Sequence, residues 1–388
     1  MNYLLFTISI LLILFLNAQT APLIGVTKVV TATFSPMIMY LAIETFKKKI
    51  VWNSKYNKTA IIILILSVII IVLKSATKQS YFNSVFYFLI IPMLMSISFE
   101  ELSNKKIRIL RRSVLFFYII ECSLAFYERI MHINFFDIKE LTYNQLQYYN
   151  PEDWEFRSTS LLGHPLANAM AVVIILSFIL SSNMKLVYKT VYFFMGYLSL
   201  FCFNARGAIL IATILLLPYI WNLFRKSNIK YKWIIYSVFT VSIYYFFVIL
   251  TTTSLGGRIF YQTELLDGSA QARLEVLSFY KYLNLNDILW GNPDSYLNLT
   301  YKLGAGGVEN GIITIMINYG IIITLFMLPA LIYFHYNKLS VYSKYDRLWI
   351  ISVFYILGTM NPNLSMPLQW IIWVLAYYSF RKKGFKSL

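Results

Sequence analysis

Arginine and glutamate residues beside long apolar stretches are the side chains of this sequence best suited to chemistry. Arg206 lies between two apolar stretches in FCFNARGAILIA, Arg273 lies in a more polar stretch, and Glu309 precedes an apolar helix in GGVENGIITIMINYGII (306–322). A guanidinium group forms paired hydrogen bonds to phosphate oxygens and keeps its charge. A glutamate at a helix start can accept a proton from an attacking hydroxyl group. This combination predicts that two or three convergent arginines hold a leaving diphosphate, with Glu309 as a candidate acceptor of the proton.

Each of these three residues also has an ordinary structural interpretation. Arg206 could extend from a tight turn formed by Asn204 and Gly207. Arg273 could face solvent from the side of a helix, and Glu309 could be a helix-start acid that interacts with the helix dipole. Because an arginine close to hydrocarbon is costly and is usually paired or functional, the functional interpretation is favoured for Arg206.

Three further residues are candidates for binding a substrate. Arg157 precedes an apolar stretch in FRSTSLLGHP, and it either binds substrate or anchors the chain at an interface. Arg258 follows two glycines, and its alternative is an ordinary loop residue. His164 precedes Pro165, and it is either a rival candidate for the base or a turn residue before a proline-started helix.

The sequence contains no pattern typical of a metal or cofactor site. It has no paired aspartates of the kind that hold divalent cations and no His/Cys spacing that fits zinc. The acidic cluster at 152–155 is interpreted as solvated loop charge. Cys122 and Cys202 lie in apolar segments and are predicted to be buried, inert thiols. No metal and no cofactor are therefore expected.

Apolar stretches recur along the whole chain, which is 59% hydrophobic and only 13% charged. A soluble domain carries about 25% charged residues. The predicted fold class is therefore all-α, a polytopic transmembrane helical protein in which residues 1–388 form a single integral membrane domain. About twelve spans are predicted, at 3–18, 22–44, 60–73, 81–98, 113–131, 165–183, 188–204, 207–224, 233–251, 310–334, 348–360 and 366–380.

The net charge of +17 is distributed unevenly along the chain. Basic clusters at 47–49, 105–112, 225–232 and 381–383 all lie on one side of the predicted topology. Since cytoplasmic loops carry an excess of lysine and arginine, this side is cytoplasmic and contains both termini. The charge therefore indicates topology and contact with anionic membrane lipids, and no nucleic-acid partner is expected.

Two long segments separate the predicted spans on the opposite, external side. Residues 132–164 form the first external loop, and residues 252–309 form the second, between spans nine and ten. Within the second loop, the sequence predicts a short surface helix near 270–283, with Ser269 as N-cap and a turn at 291–293. A protein with its long loops on one side is expected to act on that side.

Four motifs give the chain a resemblance to a known family. They are FRSTSLLGHPLANAMA (156–171), NARGA (204–208), QARLEVLSFY (271–280) in a long external loop, and GGVENGIITIMINYGII (306–322). In order and spacing they resemble the superfamily of O-antigen ligases and O-antigen or capsule repeat-unit polymerases of the Wzy type. The resemblance covers most of the chain, although each motif alone has low specificity.

The resemblance implies a GT-C-like fold and a metal-independent glycosyltransferase at the outer face of the bacterial cytoplasmic membrane. Donor and acceptor would both be oligosaccharides on undecaprenyl diphosphate, and direct displacement would invert the anomeric carbon. Arg206 and Arg273 match the family arginines that meet the diphosphate. Glu309, followed by Asn310, stands where the ligases carry a histidine, which favours a polymerase. The predicted substrate-binding residues are Arg157, His164, Arg258 and Asn310.

Two alternatives stay open from the sequence. One is an O-antigen ligase, which would transfer the glycan to lipid A-core. The other is a transporter, either a lipid-linked glycan flippase or a major-facilitator carrier, because twelve spans with both termini inside also suit that class. The family further implies a partner protein that regulates chain length.

Overall fold

The structure is a computed structural model that describes residues 2–17, 20–47, 55–75, 82, 85–136, 156–215, 233, 237, 240, 244, 247–248, 251–253, 257, 276–292, 294–295, 308, 310–360 and 362–381. These residues are all-helical and contain no strand, which confirms the predicted helical class. Along the described chain we number the α-helices α1 (Asn2–Phe15), α2 (Val29–Lys47), α3 (Lys55–Ser75), α4 (Ile91–Ser98), α5 (Asn104–Met131), α6 (Pro165–Ser181), α7 (Leu186–Cys202), α8 (Arg206–Leu215), α9 (Leu285–Trp290), α10 (Gly311–Tyr319), α11 (Ile321–Lys338), α12 (Lys344–Thr359) and α13 (Pro367–Phe380).

Helix α5 begins nine residues before the predicted span at 113–131. The side chain of Ser103 caps it by accepting a hydrogen bond from the Lys106 amide at 3.4 Å. The basic run KKIRILRR is therefore helical, whereas hydropathy alone assigned it to a loop. The helix thus begins before the predicted span, because charged residues can extend a helix beyond its apolar part.

The predicted span 310–334 is divided into two helices. Gly320 separates α10 from α11 and has a φ of 84°, a left-handed conformation that favours glycine. A Cβ atom at this position would lie 2.3 Å from the carbonyl oxygen of Leu289. The single-helix prediction was wrong here because a close backbone approach from α9 requires the break.

The predicted surface helix at 270–283 is described from residue 276 onward. Val276–Tyr282 forms a 3-10 helix rather than an α-helix, and a second short helix, α9, follows with Asn284 as its cap. Val276 packs with Val308, Ile313 and Ile317, so this segment is packed against α10 through apolar contacts. The turn predicted at 291–293 is confirmed at Gly291, where α9 ends with φ 77°.

Helices α6 and α13 form the centre of the helical body. Nearly every residue of both helices is buried. They begin at the same end, because the Gln369 side chain donates to the Ala167 carbonyl at 3.0 Å. Arg111, near the start of α5, donates to Ser379 at the end of α13 at 2.7 Å, so α5 runs in the opposite direction.

This packing gives the body two chemically different ends. The "arginine end" consists of the last turn of α5, the segment 156–164 before α6, the end of α7 and the start of α8. The "lysine end" consists of the start of α5 and the ends of α11 and α13, together with Glu100. Both names are used below.

One helix in the described part of the chain, Ile321–Val341, has the length and hydropathy needed to cross a membrane, with 21 residues and a mean hydropathy of 1.3. Shorter apolar helices of 10 to 17 residues are Tyr3–Phe15, Val29–Thr45, Asn57–Val72, Pro165–Ser181, Leu186–Cys202 and Arg206–Leu215. The twelve spans stay a prediction.

Candidate functional site

Three segments of the arginine end each carry an arginine. Arg129, in the last turn of α5, is 3% exposed and donates to the Phe156 carbonyl oxygen. Arg157 is 7% exposed, and its Nε donates to the Phe203 carbonyl oxygen at 3.3 Å. Arg206 is the first residue of α8, three positions after Phe203, and is half-buried. The fold thus brings three arginine-bearing segments that are distant in sequence to one end of the body.

Two buried carboxylates from α5 lie in the same region. Glu128 is fully buried, and its Oε2 accepts hydrogen bonds from the Thr159 and Ser160 amides at 2.9 Å each. Glu121, two turns earlier, accepts from the Leu161 amide at 3.3 Å. Both carboxylates therefore hold the segment that contains Arg157.

Backbone conformations in the left-handed region also concentrate at this end. The described non-glycine residues with positive φ are His132 at 53°, Ser160 at 40° and Asn204 at 51°. Each lies within three residues of Arg129, Arg157 or Arg206. Such conformations persist only where the surrounding contacts fix them, and they cluster at functional sites.

Asn168, in the first turn of α6, completes the support of the segment before this helix. The Asn168 Oδ1 accepts from the Leu162 amide at 3.0 Å, and its Nδ2 donates to the Thr159 carbonyl. In the described part of the structure, Oε1 of Glu121 and Oγ1 of Thr159 are buried without a hydrogen-bond partner. Buried polar atoms of this kind require an explanation, and a functional site is one.

The turn before Arg206 contacts two distant parts of the chain. A Cβ atom on Gly257 would lie 2.8 Å from Oδ1 of Asn204, so the second long loop returns to this turn. A Cβ atom on Gly207 would lie 2.9 Å from Sδ of Met360, at the end of α12. The predicted turn is confirmed at Asn204, whereas Gly207 lies inside α8, where its small size permits this packing.

His164 occupies the N-cap position of α6, directly before Pro165, but its side chain makes no capping hydrogen bond. Although the residue is exposed at the surface, the surrounding protein desolvates the imidazole, and the positive charge of Arg157 adds to this effect. Together they lower the pKa of His164 to about 4. The ring is therefore neutral at physiological pH and is a weaker base than free histidine.

Asn310 has a clear structural contact. Its side-chain oxygen accepts from the Ile312 and Ile313 amides at 3.1 Å each and thereby caps α10. If Asn310 also binds substrate, as predicted, it must do so while its side-chain oxygen makes these two capping hydrogen bonds. Its helix packs against the 3-10 segment Pro362–Ser365, which follows α12.

The structure brings Arg157, His164 and Arg206 to one end of the body. Glu309, Arg258 and Arg273 lie outside the described residues, and their predicted roles stay predictions. Sequence analysis assigned no role to Glu128 or to Arg129, although Arg129 is one of the five arginines outside the predicted cytoplasmic side. The available signal was an adjacent acid–base pair at the end of an apolar span, where charge is costly.

The cysteine prediction is confirmed in part, since Cys122 and Cys202 are both free and buried. Within the described ranges, no group of three or more His, Cys, Asp or Glu residues is arranged to hold a metal ion. No protein-family model matches the chain, and no curated protein matches it.

Proposed function

We propose that this chain is an integral membrane glycosyltransferase that polymerises lipid-linked oligosaccharide repeat units of an O-antigen or a capsule. The single observation that carries this proposal is the gathering of Arg129, Arg157 and Arg206 at one end of the helical body. Three guanidinium groups in a partly desolvated region suit a diphosphate, whose two phosphates accept several charge-assisted hydrogen bonds.

The proposed reaction is a direct displacement. Glu309 accepts the proton of the non-reducing-end hydroxyl group of one lipid-linked unit, and that oxygen bonds to the anomeric carbon of the growing chain. The bond between this carbon and the diphosphate oxygen breaks, and undecaprenyl diphosphate leaves with the electron pair. Arg206 and Arg273 stabilise the charge that grows on the leaving oxygen, which lowers the barrier, and the displacement inverts the anomeric carbon.

A membrane location is supported by apolar side chains that face outward. On α3, Ile62, Ile65, Ile69 and Val72 form one helical stripe and are 46% to 65% exposed. Soluble proteins rarely expose large continuous apolar patches, whereas lipid tails solvate them. In the proposed twelve-span topology, the arginine end faces outward from the bacterial cytoplasmic membrane, where lipid-linked glycans accumulate.

Reconstitution tests the proposal. The purified chain in lipid nanodiscs is supplied with an undecaprenyl diphosphate-linked repeat unit and a chelator, and the products are separated on a gel. We expect a ladder with the wild-type chain and with Arg112→Ala, an exposed arginine of α5 outside the proposed site. We expect no ladder with Arg206→Ala, Arg273→Ala or Glu309→Gln at equal protein level. Full-length polymer from any of these three variants would refute that residue's role.

Extensions of this assay, with an added acceptor or with liposomes in place of nanodiscs, separate the alternative functions. A ligase would yield no ladder alone but would transfer the glycan when lipid A-core is added. A flippase would move the single unit across a liposome membrane without extending it. A partner that regulates chain length would shift the distribution of the ladder without being needed for its formation.

A further inference from the structure

Glu128 is placed where a carboxylate is electrostatically unfavourable. It lies in the last turn of α5, where the helix dipole presents partial negative charge, and it is 0% exposed. Burying a charge costs several kcal/mol unless hydrogen bonds compensate the lost hydration. An uncharged side chain would avoid both costs, so the contacts made by this carboxylate must explain its presence.

Those contacts join the beginning and the end of the first long loop. Oε1 of Glu128 accepts from the Phe135 amide at 2.9 Å, just after α5. Oε2 accepts from the Thr159 and Ser160 amides at 2.9 Å and from the Ser158 hydroxyl group. Both oxygens are thus satisfied, and three consecutive residues after Arg157 are fixed by one side chain.

The segment is fixed on its other face by α7. The Ser158 amide donates to the Cys202 carbonyl at 3.0 Å, next to the bond between Arg157 and Phe203. At the residue before Arg157, the carbonyl oxygen of Phe156 accepts a hydrogen bond from Arg129. The backbone of Arg157 is therefore held by Arg129 before it and by Glu128 after it. Both of these residues are in the same helical turn, so α5 sets the location of the Arg157 guanidinium beside the start of α8.

We propose that Glu128 is a positioning residue that fixes Arg157 next to Arg206 and so shapes the binding site for a lipid-linked diphosphate. This inference rests on the proposed function. Glu128 contacts no substrate in this scheme. It acts through the amides of residues 159 and 160, which a neutral glutamine could satisfy only in part, since its amide nitrogen donates rather than accepts.

A double-mutant cycle tests this role. The full chain in nanodiscs is titrated with undecaprenyl diphosphate, using wild type, Glu128→Gln, Arg157→Ala and the double variant. Positioning through Arg157 predicts that Glu128→Gln weakens binding about tenfold when Arg157 is present and by less than about twofold when it is absent. Glu101→Gln, an exposed acid outside the arginine end, is the matched control and should leave binding unchanged.

Hydrogen exchange of the peptide 156–161 gives a second readout that needs no substrate. We expect faster exchange of this peptide in Glu128→Gln than in wild type. Ser158→Ala removes a single hydroxyl donor and should produce a smaller effect of the same kind, which keeps the test available if Glu128→Gln does not fold.

The outcomes distinguish this inference from the proposed function. If Glu128→Gln weakened binding equally with and without the Arg157→Ala substitution, the positioning role would be overturned. Unchanged exchange of residues 156–161 in Glu128→Gln would overturn it as well. If wild type binds no undecaprenyl diphosphate, the proposed function fails. Faster exchange in the variant would then still support the anchoring of this segment by Glu128.

Discussion

The two ends of the helical body hold buried charge in different ways. At the lysine end, opposite charges meet directly: Nζ of Lys338 lies 2.5 Å from Oε1 of Glu100, and Nη1 of Arg381 lies 3.1 Å from its Oε2. At the arginine end, the carboxylate of Glu128 accepts from backbone amides, and Arg157 donates to a backbone carbonyl.

This difference separates a structural role from a binding role. When a cation and an anion meet side by side, their fields largely cancel, and the pair joins helices. When backbone groups hold a charged side chain, they fix its position, as a binding site for a charged ligand requires. We therefore expect substitutions at the lysine end to change stability and substitutions at the arginine end to change activity.

Outside the three proposed catalytic residues, the largest effect should come from Arg157. Arg157→Ala removes a charged donor from the proposed diphosphate-binding site, and we expect the initial rate of polymer formation to fall about 10²- to 10³-fold. Arg157→Lys keeps the charge but loses the planar fork, so it should recover only part of this loss. Gel-based initial rates, normalised to folded protein, measure both. A wild-type rate in Arg157→Ala would place the leaving-group site elsewhere.

The next effect is on stability. Glu100→Gln leaves buried Lys338 and its neighbour Arg381 without a counter-charge, and we expect a loss of about 3 kcal/mol, since breaking a buried pair is costly. Thermal unfolding in detergent measures this loss, with the exposed neighbour substitution Glu101→Gln as control. Polymer formation per folded molecule should stay unchanged. A selective loss of rate would contradict the structural role of the lysine end.

The effect of Glu100→Gln should also depend on pH. Burial alone would raise the pKa of Glu100, but Lys338, Arg381 and the Tyr378 hydroxyl outweigh it and hold the pKa below its ordinary value of 4.5. The ionised carboxylate therefore stabilises the fold fully above pH 4.5, and this contribution disappears as the pH falls through the lowered pKa. The difference in melting temperature between wild type and variant should shrink in acid.

A smaller effect is expected where α9 packs against the break between α10 and α11. Gly320→Ala would bring its Cβ within 2.3 Å of the Leu289 carbonyl at a φ of 84°, and we expect a loss of more than about 1 kcal/mol. Gly25→Ala is the matched control, because Gly25 has a φ of 70° but no atom within 4 Å of its Cβ position. Thermal unfolding compares them. Equal losses of stability in the two variants would show that the backbone conformation of the glycine causes the effect, and not the contact with Leu289.

The smallest effect concerns His164. Because the pKa of His164 is lowered to about 4, this ring is largely neutral between pH 5 and 8. His164→Gln should therefore leave the shape of the rate–pH profile in that range unchanged. The disappearance of a limb near pH 6.5 in the variant would show instead that His164 titrates during the reaction.

The sequence by itself determined the helical class and most helix positions. Apolar stretches predicted α6 at 165–183 and α13 at 366–380 to within two residues, against the observed Pro165–Ser181 and Pro367–Phe380. It also identified Arg157 and Arg206 as unusual, because charge beside an apolar stretch is costly wherever the chain folds.

Only the tertiary structure decided what surrounds these arginines. Glu128 and residues 158–160 are about thirty positions apart in the sequence. Leu289 and Gly320, which also come into contact, have a similar separation in the sequence. Neither leaves a periodic pattern in the sequence, since hydropathy and propensity report local preference. Long-range hydrogen bonds and close backbone packing depend on which helices become neighbours, and that is settled only when the whole chain packs.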